Sequence, residues 1–132
     1  SDTDCTASAV FTKNVVKAAP IHVDKAHLAD GHARAIIANS GNANACAPHG
    51  EENAAKMCQA AAAVIGCKPE DVLVSFTGVI GQTLNVQVIE DGVPALYAAL
   101  EHSAAASDAA PTPPPSVRTP SAPPPDCWCR KR

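Results

Sequence analysis

One face of a helix stands out in the chain. Ala54, Met57, Cys58, Ala61, Ala62 and Ile65 follow the i, i+3, i+4, i+7, i+8, i+11 spacing of a single apolar stripe. Glu51 and Glu52 precede it, where the helix dipole favours negative charge. Gly66 is placed to stop the helix and Pro69 to prevent its continuation. Ile89, Val93, Leu96 and Leu100 mark a second helical face, in which Pro94 either introduces a kink or opens a second half at its first position. Strand-like runs lie between and before these helices: residues 34–38 (RAIIA) and 72–76 (VLVSF) are the strongest, and residues 7–12 (ASAVFT) and 21–23 (IHV) read as shorter strands. The 34–38 run leads into NSGNANA, where small and amide residues around Gly41 predict a tight, hydrogen-bonded loop. The order strand, loop, helix, strand, turn, helix predicts an α/β fold, layered around a sheet.

The pattern breaks after Ala110. Residues 111–132 hold eight of the twelve prolines, a composition that neither packs a core nor keeps a sheet ladder, so a folded part over 1–110 and an extended, Pro-rich, disordered tail over 111–132 are expected. The tail ends in Cys127-Trp128-Cys129 and Arg130-Lys131-Arg132, which suit a metal clip or a basic interaction tail less well than an unstructured end with no role.

Composition narrows the function classes. Apolar residues make up 46% of the 132 and charged residues 17%, enough for one modest core, built from Ala, Val, Ile and Leu because only four residues are aromatic. A net charge of −3 without a basic stripe argues against nucleic acid as a partner. No apolar run approaches the ~18 residues that span a bilayer, and SDTDCTAS does not read as a signal peptide. Six cysteines in a chain of this length and composition do not form a disulfide framework; Cys58, on an apolar face, reads as a buried free thiol, and a reducing, cytoplasmic setting is expected. His22, His27, His32, His49 and His102 do not share a helical face or accompany a cysteine pair, so no metal site is expected. Ser75 and Thr83 have no histidine or carboxylate at a telling position and are assigned no role. Asn39, Ser40, Asn42 and Asn44 read first as an Asx-type turn satisfying its own backbone, and second as a polar scaffold beside a site.

Three segments together resemble the α-chain half of the ArgJ family, the bifunctional glutamate/ornithine N-acetyltransferases of arginine biosynthesis. They are SAVFTKNVVKAAPI (8–21), RAIIANSGNANAC (34–46) and DVLVSFTGVIGQTL (71–84), in the family's order and spacing, with Phe76 where the family usually has a small residue. The resemblance implies an α/β sandwich of the type shared with DmpA aminopeptidases, here truncated at both ends. It implies a precursor that cleaves itself before a threonine into α and β chains that stay together. That threonine takes acetyl from N-acetylornithine and passes it to glutamate, with no cofactor and no metal, and some members accept acetyl-CoA as a substrate. Threonine is activated by its own amine, and the tetrahedral oxyanion needs donors fixed in advance. The family's oxyanion hole falls on Thr77 and Gly78. The nucleophile and the substrate-binding residues of the family pattern find no match in this chain, so an inactive α-chain fragment is expected.

Two other readings stand beside it: a non-catalytic assembly module that pairs with a β-like chain, and a relative of the self-cleaving DmpA-type aminopeptidases, in which NSGNANAC has no close counterpart. The tail has a reading of its own. Thr112 to Pro120, read one frame away with TCN for Ser116 and CGN for Arg118, permits A-A-A-I-x-T-D-T, one residue short of the family's AIMTTDT-like stretch. A frameshifted origin for the residues from about 111 follows as an expectation.

Overall fold

The computed structural model describes residues 1 and 3–100. The proline-rich tail, its two cysteines and His102 lie outside the described residues. In chain order the elements are β1 (Cys5–Thr6), α1 (Ala19–His27), β2 (His32–Ala33), β3 (Ala35–Asn42), α2 (Gly50–Ile65), β4 (Val72–Val79) and α3 (Val86–Ala98), with 3-10 turns at Leu28–Asp30 and Pro69–Asp71.

Strands β3 and β4 pair in parallel, Ala35 opposite Val72 through Gly41 opposite Gly78, and α2 connects them. A parallel pair needs such a crossover, and the helix covers the face it crosses. Period-two alternation directs Ile37, Val72 and Val74 inward, where they meet Ala54, Met57, Cys58, Ala61 and Ala62 of α2 and Val93 of α3 in one buried cluster. The three alanines and the single methionine on this side let the helix lie close to the strands, and Met57 is fully buried. The same alternation leaves Ile36 59% exposed on the opposite face. Gly66 ends α2 at φ 76°, its N–H donating to Ala62 O at 2.8 Å, a left-handed stop that glycine adopts without a Cβ penalty.

The two strong strands, the α2 stripe and its glycine stop are found where the pattern predicts them. Four expectations are corrected. Residues 7–12 form no strand beyond the β1–β2 clip (Cys5 opposite Ala33, Thr6 opposite His32): among the described residues no neighbouring strand pairs with them, and Val10 is fully exposed. Residues 21–23 are helical, inside α1. Pro20 lies at the helix start, where its missing N–H costs nothing and its fixed φ favours helix. NSGN is not a loop; β3 runs on to Asn42 because β4 supplies partners that far. Helix α3 runs through Pro94 from Val86 to Ala98 and ends before Leu100, which therefore does not extend its stripe.

The outer edge of β4 is occupied by side chains of α1. Asp24 Oδ1 accepts the Val74 N–H at 2.9 Å, and His27 Nδ1 lies 2.7 Å from Val72 O, so Nδ1 carries the proton it donates. Helix side chains thus replace the strand that an exposed edge would otherwise attract.

Candidate functional site

The carboxyl ends of β3 and β4 meet at two glycines. Gly41 (φ 117°) lies opposite Gly78 (φ 135°), and Ser40 opposite Thr77. A Cβ on Gly78 would collide with the carbonyl group of Gly41 and come within 2.6 Å of Asn42 N, whereas a Cβ on Gly41 would meet open space. The close approach belongs to Gly78, which therefore has to be glycine on both steric and φ grounds.

A break in the regular register sits beside the pair. From Ala35 opposite Val72 to Asn42 opposite Val79 the two strands keep step, and the register becomes irregular only at Asn42. There Asn42 is in register with both Thr77 and Val79. Such irregularities re-aim the backbone locally. Asp71 and Val79 point their carbonyls at β3, so alternation along β4 turns Val72 and Val74 to the outer edge, and Gly78 N–H with them. Thr77 is half-buried, and among the described residues its hydroxyl has no hydrogen-bond partner.

Two loops close over this end. Asn42 Oδ1 accepts the Asn44 N–H at 2.8 Å, an Asx turn of the kind the amide-rich stretch predicts, although it begins only where the strand ends. Asn42 Nδ2 donates to Gln82 O at 3.1 Å, and Gly81 N–H to Ala45 O at 2.9 Å, tying the loop after β3 to the loop after β4. Asn44 is 1% exposed, donates from Nδ2 to Gly50 O at 2.8 Å and accepts the Ala19 N–H at 3.2 Å, joining the loop to α2 and α1. Asn44, Cys46 and His49 all adopt positive φ, so the turn lies downstream of the position predicted for it.

A second polar group resembles a catalytic triad in composition only. Cys58, His27 and Asp24 gather beneath β4, but the Cys58 S–H and the His27 Nδ1–H both point at Val72 O, at 3.4 and 2.7 Å, with sulfur and nitrogen 4.0 Å apart. Burial, reinforced by the Asp24 charge, pushes the Cys58 thiol up to about 12, which suppresses the thiolate needed for attack. Burial also raises the Asp24 carboxyl, against the lowering pull of the Val74 N–H and His27. The sequence pattern gave no role to Asp24 and considered His27 only as a metal ligand; their i, i+3 spacing puts them on one face only once the segment is known to be a helix. Among the described residues no three His, Cys, Asp or Glu side chains gather as a metal site, and the four described cysteines are free. No described helix is long and apolar enough to cross a membrane.

The family model described as "ArgJ family" matches residues 1–113. The arginine biosynthesis bifunctional protein ArgJ of Geobacter sulfurreducens is 44% identical over 101 residues, which are 76% of this chain and 26% of that protein. The corresponding protein of Caldanaerobacter subterraneus is 48% identical over 87 residues, 65% of this chain and 22% of its own length. The chain thus spans about a quarter of the curated relatives it matches. Among solved structures, the ornithine acetyltransferase of Mycobacterium tuberculosis complexed with ornithine is similar at TM-score 0.64 and 38% identity, over 67% of this chain and 49% of that one. The ArgJ crystal structure from Bacillus halodurans matches at TM-score 0.66 and 36% identity, over 69% of this chain and 49% of that one.

Proposed function

Because this chain belongs to the ArgJ family, we propose that it supplies the oxyanion-stabilising half of an acetyl-transfer site, with Thr77 and Gly78 as the donors, and that the rest of the site comes from a partner β chain. The observation that carries the reading is the glycine pair at the carboxyl ends of two parallel strands, where α/β folds bind their ligands. There the Gly78 N–H is turned away from β3 and the Thr77 hydroxyl has no partner among the described residues.

The chemistry runs as follows. A threonine hydroxyl of the partner attacks the acetyl carbonyl of N-acetylornithine, and its proton passes to the threonine's own amine. The carbonyl oxygen becomes an oxyanion held by the Thr77 O–H and the Gly78 N–H. Collapse expels ornithine, whose amine takes the proton, and leaves an acetyl ester. The amine of glutamate then attacks that ester through a second oxyanion at the same donors, giving N-acetylglutamate and the free hydroxyl. Acetyl-CoA could enter only as an alternative acyl donor, and the scheme uses no cofactor.

Reconstitution tests it. This chain, co-expressed with the unmatched remainder of the Geobacter sulfurreducens protein, is expected to transfer acetyl from N-acetylornithine to glutamate, and neither part to do so alone. Thr77→Ala is expected to lower kcat ~10²–10³-fold while the two parts still co-purify. A full rate in that variant would refute the assignment. Co-purification without any transfer would instead favour the assembly-module reading.

A further inference from the structure

We propose that Asn42 is the positioning residue of the Thr77–Gly78 pair: it locks the backbone on both sides of Gly78 and so sets the direction of the two donors. The inference rests on the oxyanion reading above but makes a claim about geometry that can be tested apart from it.

Asn42 stands where the register becomes irregular, paired with Thr77 on one side of Gly78 and with Val79 on the other. Its backbone nitrogen packs against the Cα of Gly78, as the 2.6 Å approach of a hypothetical Cβ demonstrates. Its polar atoms reach three segments: Nδ2 donates to Gln82 O at 3.1 Å, Oδ1 accepts the Asn44 N–H at 2.8 Å, and its carbonyl accepts Asn39 Nδ2 at 3.3 Å. Asn44 is itself buried, and it is bonded to Gly50 and Ala19 at the starts of α2 and α1. Asn42 therefore transmits the rigidity of the α1–α2 junction to the turn that follows Gly78. The side chain has to supply one donor and one acceptor at this length. Aspartate keeps the acceptor, loses the donor and sets a carboxylate against the Gln82 carbonyl.

A residue that only stabilised an Asx turn would tolerate that exchange, so Asn42→Asp separates the two roles. In this chain alone, ¹⁵N-labelled, Asn42→Asp and Asn42→Ala are both expected to shift the Gly78 and Val79 amide resonances, while Val72 and Val74, held by α1, stay in place. Gln82→Ala, which keeps the accepting carbonyl, is expected to leave Gly78 unmoved. In the reconstituted pair both Asn42 variants are expected to lower kcat ~10–100-fold, as a small misplacement of the donors does, with KM changed less than about threefold. Asn42→Asp with wild-type Gly78 resonances and wild-type kcat would overturn the proposal. If Thr77→Ala also left kcat intact, the oxyanion reading would fail by itself, and the Gly78 resonances would still report whether Asn42 holds that backbone.

Discussion

Single residues at the junction of β3 and β4 are constrained in different ways, and substitutions should separate them. Gly78 faces both a positive φ and backbone atoms of Gly41 and Asn42, whereas Gly41 faces only the φ. Gly41→Ala is expected to cost about 1 kcal/mol, the strain of a non-glycine residue in that region, and Gly78→Ala at least ~3 kcal/mol because the strands must also move apart. Urea unfolding midpoints check the order; equal costs would mean that the close approach does not exist in solution. Cys58 offers a pH test. Its thiol, raised from 9.0 to about 12, favours the folded state fully below the unfolded value, and that contribution is lost as pH rises from about 9 toward 12. Stability should fall over that window and fall less in Cys58→Ala. At pH 8, iodoacetamide should label the exposed Cys5 and Cys46, and reach Cys58 only after unfolding.

At the scale of elements, α1 does work that its sequence does not advertise. It reads as strand-like around residues 21–23, yet it is a helix whose Asp24 and His27 occupy the β4 edge. Asp24→Ala leaves the Val74 N–H without its partner and is expected to cost about 1–3 kcal/mol. Asp24→Asn keeps an acceptor and removes a charge that burial disfavours, so it should be close to neutral or stabilising near pH 7. The sign follows from the raised carboxyl: wild-type stability from this group is complete below 3.8 and lost as pH rises through the folded value, and Asp24→Asn should remove that slope. Thermal melts of both variants between pH 3 and 7 are the check, and equal losses in the two would sink the edge-cap account. By contrast, α2 was legible in the chain down to its last residue. Its apolar repeat and glycine stop are local, and each needs only neighbours within a turn.

Among the described residues, the helices pack on one face of the β3–β4 pair, and the other face leaves apolar side chains exposed. Ile36 is 59% exposed there, and Val79 and Ile80 are exposed at the strand's end. Apolar surface on an uncovered sheet invites association. The chain alone is expected to self-associate with rising concentration, measured by light scattering after size exclusion, and Ile36→Lys to reduce it. If the chain stayed monomeric at high concentration, the bare face would carry no such drive.

The sequence by itself determined the family, through NSGNANAC and FTGVIG, and with it the α/β class, the two strong strands and the helix between them. These depend on residues a few positions apart, where periodicity, glycine stops and prolines act directly on the backbone. Only the tertiary structure decided that β3 and β4 pair in parallel, that residues 21–23 turn into helix, that NSGN straightens into a strand whose register turns irregular at Asn42, and that Asn44 is buried. Each of those depends on a partner far along the chain: Asp24 on Val74, His27 on Val72, Asn42 on Gln82. The alternation of one strand carries no record of which neighbour will offer it a hydrogen bond, so register and edge appear only when the strands meet.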